Sequence, residues 1–173
     1  MDNIRVLIPE EDVDKKIREM AAEISQKYEG KTLHLVCVLR GGAFFMCELA
    51  KRLTVPVTID FMSVSSYGDG TESSGQIRIV KDLDDSIEGR DVLVVEDIID
   101  SGRTLSKMME LLESRRPASL ALCTLLDKPE RRVVEVDVDY TGFRIPDLFV
   151  VGYGLDCAQK HRNYPYIGVV EIE

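Results

Sequence analysis

Apolar residues recur at helical spacing at Val13, Ile17, Met20, Ala21 and Ile24, which predicts an amphipathic helix over about 11–28. Gly30 fits just past its end. Residues 4–8 before it form a short strand candidate. Leu33 to Leu39 is a continuous apolar run ending at Arg40-Gly41-Gly42, with a helix expected from Ala43 to Leu53. Val57, Ile59, Phe61 and Ser63 alternate with Thr58, Asp60 and Met62, which is the period of a strand. Ile77 and Ile79 alternate with Arg78, so these two segments predict a long hairpin. Its tip is the Gly- and Ser-rich stretch at about 65–76, expected to be flexible. Val92 to Val95 predicts a buried strand, and Leu105, Met108, Met109 and Leu112 mark one face of a helix that Pro117 ends. Leu120 to Leu126 predicts another strand, Val133 to Phe143 is irregular or strand-like, and Phe149 to Val151 is expected as a last short buried strand.

Strand and helix patterns alternate along the chain. Parallel strands need crossover helices, so a three-layer α/β domain with a mainly parallel sheet follows. At 173 residues the chain is expected to form one domain. Ligands of such sheets bind beyond the carboxyl ends of the strands. The turns at Arg40, Glu96 and Lys128 and the loop after Tyr153 are candidates for that edge.

Composition narrows the function classes. Apolar content is 45% and aromatic content 6%, with no Trp, which suits an aliphatic core. There is no run of about 20 apolar residues, so no membrane span is expected, and the first residues do not read as a signal peptide. The net charge of −9 argues against general nucleic-acid binding, which needs clustered cations. It leaves a phosphorylated substrate open, because the few groups lining a pocket decide that. The 4 cysteines form no CxxC pair and are expected to be buried, reduced thiols of a cytoplasmic protein. The 2 histidines, His34 and His161, give no metal-site spacing and are expected to be structural.

The chemistry concentrates after Val92-Leu93-Val94-Val95. Four strand residues run into the carboxylates Glu96 and Asp97, and Asp100 then opens the turn Ser101-Gly102-Arg103-Thr104 before a helix. Carboxylates can accept hydrogen bonds from ribose hydroxyls. The turn and helix start can present backbone N–H groups to a phosphate, with Gly102 removing a side chain where backbone must approach oxygen. Taken alone, Asp100 or Ser101 could instead cap the helix.

This segment resembles the 5-phosphoribosyl-1-pyrophosphate (PRPP) signature of type I phosphoribosyltransferases, and its wording is most similar to the hypoxanthine(-guanine) branch. The resemblance runs from about Val6 to Ile172, with Leu39-Arg40-Gly41-Gly42, Ser66-Tyr67-Gly68, Leu126-Asp127-Lys128 and Phe149 to Asp156 falling in family order. It implies a mainly parallel central sheet flanked by helices, with a small hood formed by the terminal segments.

It further implies a role for each motif. Asp100 would be the catalytic base, and Ser101, Gly102, Arg103 and Thr104 would enclose the 5′-phosphate. Glu96 and Asp97 would hold the ribose hydroxyls, directly or through Mg²⁺. Arg40, Gly41 and Gly42 would form a pyrophosphate loop with a cis peptide before Arg40, and Ser66 and Tyr67 would belong to a closing lid. Lys128 would donate to the purine 6-oxygen, Phe149 would stack on the base, and backbone near Val150 would accept from the ring. Asp156 would coordinate Mg²⁺ and Arg162 would pair with pyrophosphate.

The implied activity transfers the 5-phosphoribosyl group of PRPP to hypoxanthine or guanine, giving a nucleotide and pyrophosphate in purine salvage. The implied assembly is a homodimer or homotetramer. Two alternatives stay open from the sequence: a regulator that binds PRPP or nucleotides, and an enzyme for another base such as xanthine or orotate.

Overall fold

The computed structural model of the protein describes residues 3–66 and 76–171. Among them the strands form two sheets. The larger has the order β4-β3-β2-β5-β6-β7, built from β2 (Leu33–Val38), β3 (Val57–Ser66), β4 (Ile77–Lys81), β5 (Asp91–Ile99), β6 (Ser119–Asp127) and β7 (Tyr140–Arg144). All its pairings are parallel except β3 with β4, the expected hairpin. The smaller sheet joins β1 (Asn3–Ile8), β9 (Ile167–Glu171) and β8 (Val150–Val151) in antiparallel register, so the two ends of the chain make the hood together.

The expected helices form at Glu10–Lys27 (α1), Ala43–Arg52 (α2) and Arg103–Ser114 (α3). Val13, Ile17, Met20, Ala21 and Ile24 of α1 are buried, as their spacing requires. Fully burying one such aliphatic side chain contributes about 1.5–3 kcal/mol. They pack with Phe45, Met46 and Leu49 of α2 against Leu33, Leu35, Cys37, Leu93, Val95 and Cys123. On the other sheet face, Leu105, Met108 and Leu112 of α3 meet Val36, Val38, Val92, Val94 and Leu122. Every residue of β2 is buried, because helices cover both faces.

Three expectations are corrected. Phe149 is 52% exposed and precedes β8 instead of beginning a buried strand. The last strand is β9, which sequence reading left out. Cys37 and Cys123 are buried, whereas Cys47 is exposed and Cys157 partly so, because the outer face of α2 carries Cys47 to solvent. The irregular stretch from Val133 settles into a strand only at Tyr140.

This topology creates the place for a site. The chain leaves β2 through α2 toward β3 on one side, and leaves β5 through α3 toward β6 on the other. The carboxyl ends of β2 and β5 therefore open into a crevice where the strand order reverses, the usual ligand position in an open α/β sheet. Pairing of β2 with β5 ends at Val95, while β6 stays paired with β5 as far as Ile99. Glu96 and Asp97 emerge where one neighbour stops and the other continues.

Candidate active site

A cavity of about 400 Å³ fills that crevice. Five separate stretches of sequence reach its wall: Val38 to Gly41 at the end of β2, Val64 of β3, Glu96 to Gly102 with Thr104, Leu105 and Met108 around the end of β5 and the start of α3, Asp156, and Arg162.

The acidic pair is held by its own backbone. Asp97 Oδ1 accepts from the Ile98 N–H at 2.7 Å, and Glu96 Oε1 accepts from the Asp97 N–H at 3.0 Å. Burial of its carboxyl and the neighbouring charge of Asp97 raise the Glu96 pKa well above its ordinary value. The Leu39–Arg40 peptide is cis, as the resemblance implied. Gly41 lies against Asp97 so closely that a Cβ there would fall 1.7 Å from Asp97 Oδ2. Gly42 is the N-cap of α2 and does not line the cavity; its Cβ would meet Val38 O at 2.7 Å, so its smallness serves packing.

The turn into α3 has Gly102 at φ 81°, the left-handed region that glycine enters without strain. A Cβ at Gly102 would sit 2.6 Å from Val134 O. The N-cap of α3 is Gly102, which has no side chain to cap with, so neither Asp100 nor Ser101 is its N-cap residue, though Ser101 Oγ accepts from the Arg103 N–H at 3.4 Å. That contact is long, and the other N–H groups of the turn stay available to a ligand or to water, as the phosphate reading requires. The Ser101 carbonyl accepts from the N–H groups of Val133 and Val134, which ties the turn to the segment after β6. Thr104 Oγ1 and Ser66 Oγ are 2.9 Å apart, so the last described residue before the hairpin tip touches the turn. Tyr67 and the rest of the expected lid lie outside the described residues.

Asp100 is exposed, and its Oδ1 accepts from Arg131 Nε at 3.0 Å. Arg131 also approaches Asp147 at 3.7 Å, and Asp147 approaches Lys128 Nζ at 3.8 Å. Lys128 is 8% exposed, and its backbone N–H donates to Ile99 O, which fixes it beside the end of β5. Lys128, Phe149, Val150, Ser66 and Arg103 stand outside the cavity lining. The chain Asp100–Arg131–Asp147–Lys128 links the candidate base to the candidate selector of the purine. Beyond β8, Asp156 Oδ1 lies 3.2 Å from Arg162 Nη2, and Arg162 Nη1 donates to Gly154 O at 2.7 Å.

An acidic crevice, a glycine turn opening a helix and two arginines on one cavity are the parts needed to hold a sugar phosphate with a second phosphate group. The family model of the phosphoribosyl transferase domain matches residues 10–158, most of the chain and all of its cavity-lining segments except Arg162. The chain belongs to the phosphoribosyltransferase family. It is 52% identical over 171 residues to the hypoxanthine phosphoribosyltransferase of Salmonella typhimurium, covering 98% of this chain and 96% of that protein. It is 54% identical over 169 residues to the bifunctional protein TilS/HprT of Listeria monocytogenes; that match takes in 98% of this chain but spans 26% of the relative's length. A solved hypoxanthine-guanine phosphoribosyltransferase of Bacillus anthracis superposes with a TM-score of 0.94 at 46% identity, covering 99% of this chain and 100% of that one. The Salmonella and Bacillus matches, which span nearly the whole of both chains, place this chain in the hypoxanthine(-guanine) branch of the phosphoribosyltransferases.

Sequence reading missed several residues around this phosphoribosyltransferase site. Arg131 and Asp147 join Asp100 to Lys128. Arg132 forms an ion pair with Asp127 and donates from Nε to Asp100 O at 3.2 Å. Gln159 accepts from both Arg40 and Arg162. The Arg131-Arg132 doublet just after Lys128 was the available signal, since two cations next to a strand end need acidic partners. Gln159 offered none.

Proposed function

We propose that this chain transfers the 5-phosphoribosyl group of PRPP to a 6-oxopurine, hypoxanthine or guanine, giving IMP or GMP and pyrophosphate in purine salvage. One observation carries the reading: the crevice gathers the acidic pair, the Gly102 turn into α3 and the Arg40 and Arg162 guanidiniums around one cavity. In this reading the turn from Ser101 to Thr104 binds the 5′-phosphate through backbone N–H groups and hydroxyls, with Arg103 beside it. Glu96 and Asp97 accept from the ribose 2′ and 3′ hydroxyls. The negative charge that the pair carries stabilises the cationic character of C1′ as its bond to pyrophosphate breaks.

One imidazole nitrogen of the purine attacks C1′ while Asp100 accepts the proton of the other. Asp100 must exchange Arg131 for the purine N–H, and Asp147 stands ready to keep the guanidinium. Lys128, which has donors and no acceptor, faces a 6-oxo group favourably and a 6-amino group unfavourably. The exposed ring of Phe149 is available to stack on the base, and the backbone at Val150 to accept from it. Ser66 and Tyr67 belong to a lid that excludes water from the activated centre.

The hard oxygen donors Glu96, Asp97 and Asp156 fit Mg²⁺. Among the described residues no three acidic, thiol or imidazole groups converge into a cage, which suits an ion that takes its remaining ligands from substrate oxygens and water. Mg²⁺ would supply charge neutralisation of the leaving pyrophosphate. The protein works in the cytoplasm as a homodimer or homotetramer, with residues 1–173 acting as one catalytic domain; no described helix is long and apolar enough to cross a membrane.

The test is nucleotide formation from PRPP and Mg²⁺ with hypoxanthine, guanine, xanthine, adenine and orotate offered separately. Turnover of hypoxanthine or guanine without adenine supports the reading. Failure with every base by folded, PRPP-binding protein sinks it.

A further inference from the structure

Arg40 and Arg162 lie far apart in sequence yet share one acceptor. Gln159 Oε1 accepts from Arg40 Nη1 at 3.1 Å and from Arg162 Nη2 at 2.9 Å. An amide oxygen has two acceptor positions, and both are used here. Arg40 and Arg162 line the cavity, whereas Gln159 is not among its lining residues. The amide therefore acts on the cavity through the two guanidiniums.

The position of Gln159 is itself fixed. Its backbone N–H donates to Asp156 Oδ2 at 2.7 Å, and the other oxygen of that carboxylate lies 3.2 Å from Arg162 Nη2. The turn carrying it runs through positive φ at Ala158, Gln159 and His161, and a Cys157–Lys160 bridge closes it. Arg162 is anchored from the far side by Gly154 O, and Gly154 packs so tightly on Gly41 that a Cβ would fall 2.0 Å from Gly41 O. The Arg40 loop and the Arg162 turn are thus locked together by backbone packing and by the Gln159 amide.

Two like charges held side by side repel, and a carboxylate between them would relieve that repulsion. Asp156 already pairs with Arg162, and a neutral amide supplies the shared acceptor without adding a second negative charge, so the pair of guanidiniums stays net positive toward a ligand. We infer that Gln159 is a positioning residue that gathers Arg40 and Arg162 into one bidentate clamp for the pyrophosphate group, and that its neutrality preserves the charge of that clamp. This inference rests on the proposed PRPP site. It assigns Gln159 to the affinity for PRPP and for the pyrophosphate product, and not to recognition of the base.

Calorimetric titration of Mg-pyrophosphate into the full chain, with KM for PRPP and for hypoxanthine measured separately, tests it. Gln159→Ala removes the shared acceptor. The expected result is about tenfold weaker Mg-pyrophosphate binding, the scale for losing a hydrogen bond to a charged group. KM for PRPP should rise by about the same factor while KM for hypoxanthine stays within about twofold. Gln159→Glu keeps the size and the acceptor but adds charge, and it should weaken Mg-pyrophosphate binding further than Gln159→Ala. Parent-like pyrophosphate affinity in either variant overturns the inference, as does an equal rise in KM for both substrates. A parent protein that binds no Mg-pyrophosphate overturns the proposed site as well. Parental binding with unaltered variants overturns the role of Gln159 alone.

Discussion

Gly41→Ala tests how closely the loop after β2 and the acidic pair on β5 are fitted to each other. A Cβ at residue 41 would lie 1.7 Å from Asp97 Oδ2 and 2.6 Å from Asp97 Cγ, far inside contact distance. The backbone of Gly41 is not in the left-handed region, so alanine brings no backbone strain there. What must yield is the carboxylate of Asp97. Its swing would break the 2.7 Å hydrogen bond from the Ile98 N–H and move the group proposed to hold a ribose hydroxyl. Losing the local hydrogen bond costs about 1 kcal/mol, or roughly 2–4 °C in Tm for a chain of this size. Losing a charged hydrogen bond to ribose costs about 1.5–3 kcal/mol, which raises the PRPP Kd about 10- to 150-fold. The signature is therefore a nearly intact fold with severely weakened PRPP binding, read by thermal melting and calorimetry. Gly89→Ala supplies the contrast. Gly89 has φ 72° with nothing within 4 Å of a built Cβ, and it lies away from the cavity. Alanine there should cost about 1–2 kcal/mol of stability and leave PRPP affinity unaltered. A folded Gly41→Ala protein that binds PRPP within about threefold of the parent would refute the reasoning.

Other outcomes follow from the same geometry. Asp100→Asn keeps PRPP affinity but lowers single-turnover transfer by about 10²–10⁴-fold; parent-like transfer would remove Asp100 from the mechanism. Lys128→Gln, whose amide offers both donor and acceptor, should raise the ratio of adenine to hypoxanthine kcat/KM, and an unchanged ratio would argue against Lys128 as the selector. Burial, aided by the nearby Arg90 charge, lowers the pKa of His34, whose Nε2 has no partner among the described residues while Nδ1 meets Thr58 Oγ1 at 2.7 Å. Because the folded pKa lies below the unfolded value of about 6.5, the unfolded chain binds the extra proton first and stability falls as pH drops through that value. Melting temperatures between about pH 7.5 and 5 should fall less steeply in His34→Gln than in the parent, and equal slopes would exclude His34 as a source.

How much of this was legible in the sequence depends on the range of the interaction. The helices and central strands are written in local periodicity: α1 buries the residues its spacing marks, and β2 reads as continuously apolar because both its faces are covered. The turn at Gly102 was legible because a left-handed φ beside a required backbone approach leaves glycine as the residue without strain. The strand β9 was not. Its short run around Gly168 becomes a strand through pairing with β1 at the opposite end of the chain, and no local pattern carries that partner. Phe149 misled for the complementary reason: an aromatic next to Val150 and Val151 resembles core until the fold shows that hood and crevice leave its ring exposed.

The same distinction explains the site. Glu96, Asp97, Asp100 and the turn after them are contiguous, so their chemistry is visible in a few residues. The ion-pair chain from Asp100 through Arg131 and Asp147 to Lys128 crosses three segments, and the Gln159 bridge joins residues 119 positions apart. Such contacts arise because the carboxyl ends of β5 and β6 and the turn beyond β8 all meet at one edge of the molecule. Groups that touch substrate directly must be of particular chemical types and leave a motif. Groups that act by holding those residues can come from anywhere the fold brings near, so they are read from coordinates. By that reasoning, double substitution of Asp100→Asn with Arg131→Ala should transfer no more slowly than Asp100→Asn alone, since Arg131 acts on the chemistry through Asp100. Additive losses in that cycle, measured by single-turnover transfer, would show Arg131 acting on the substrate by another route.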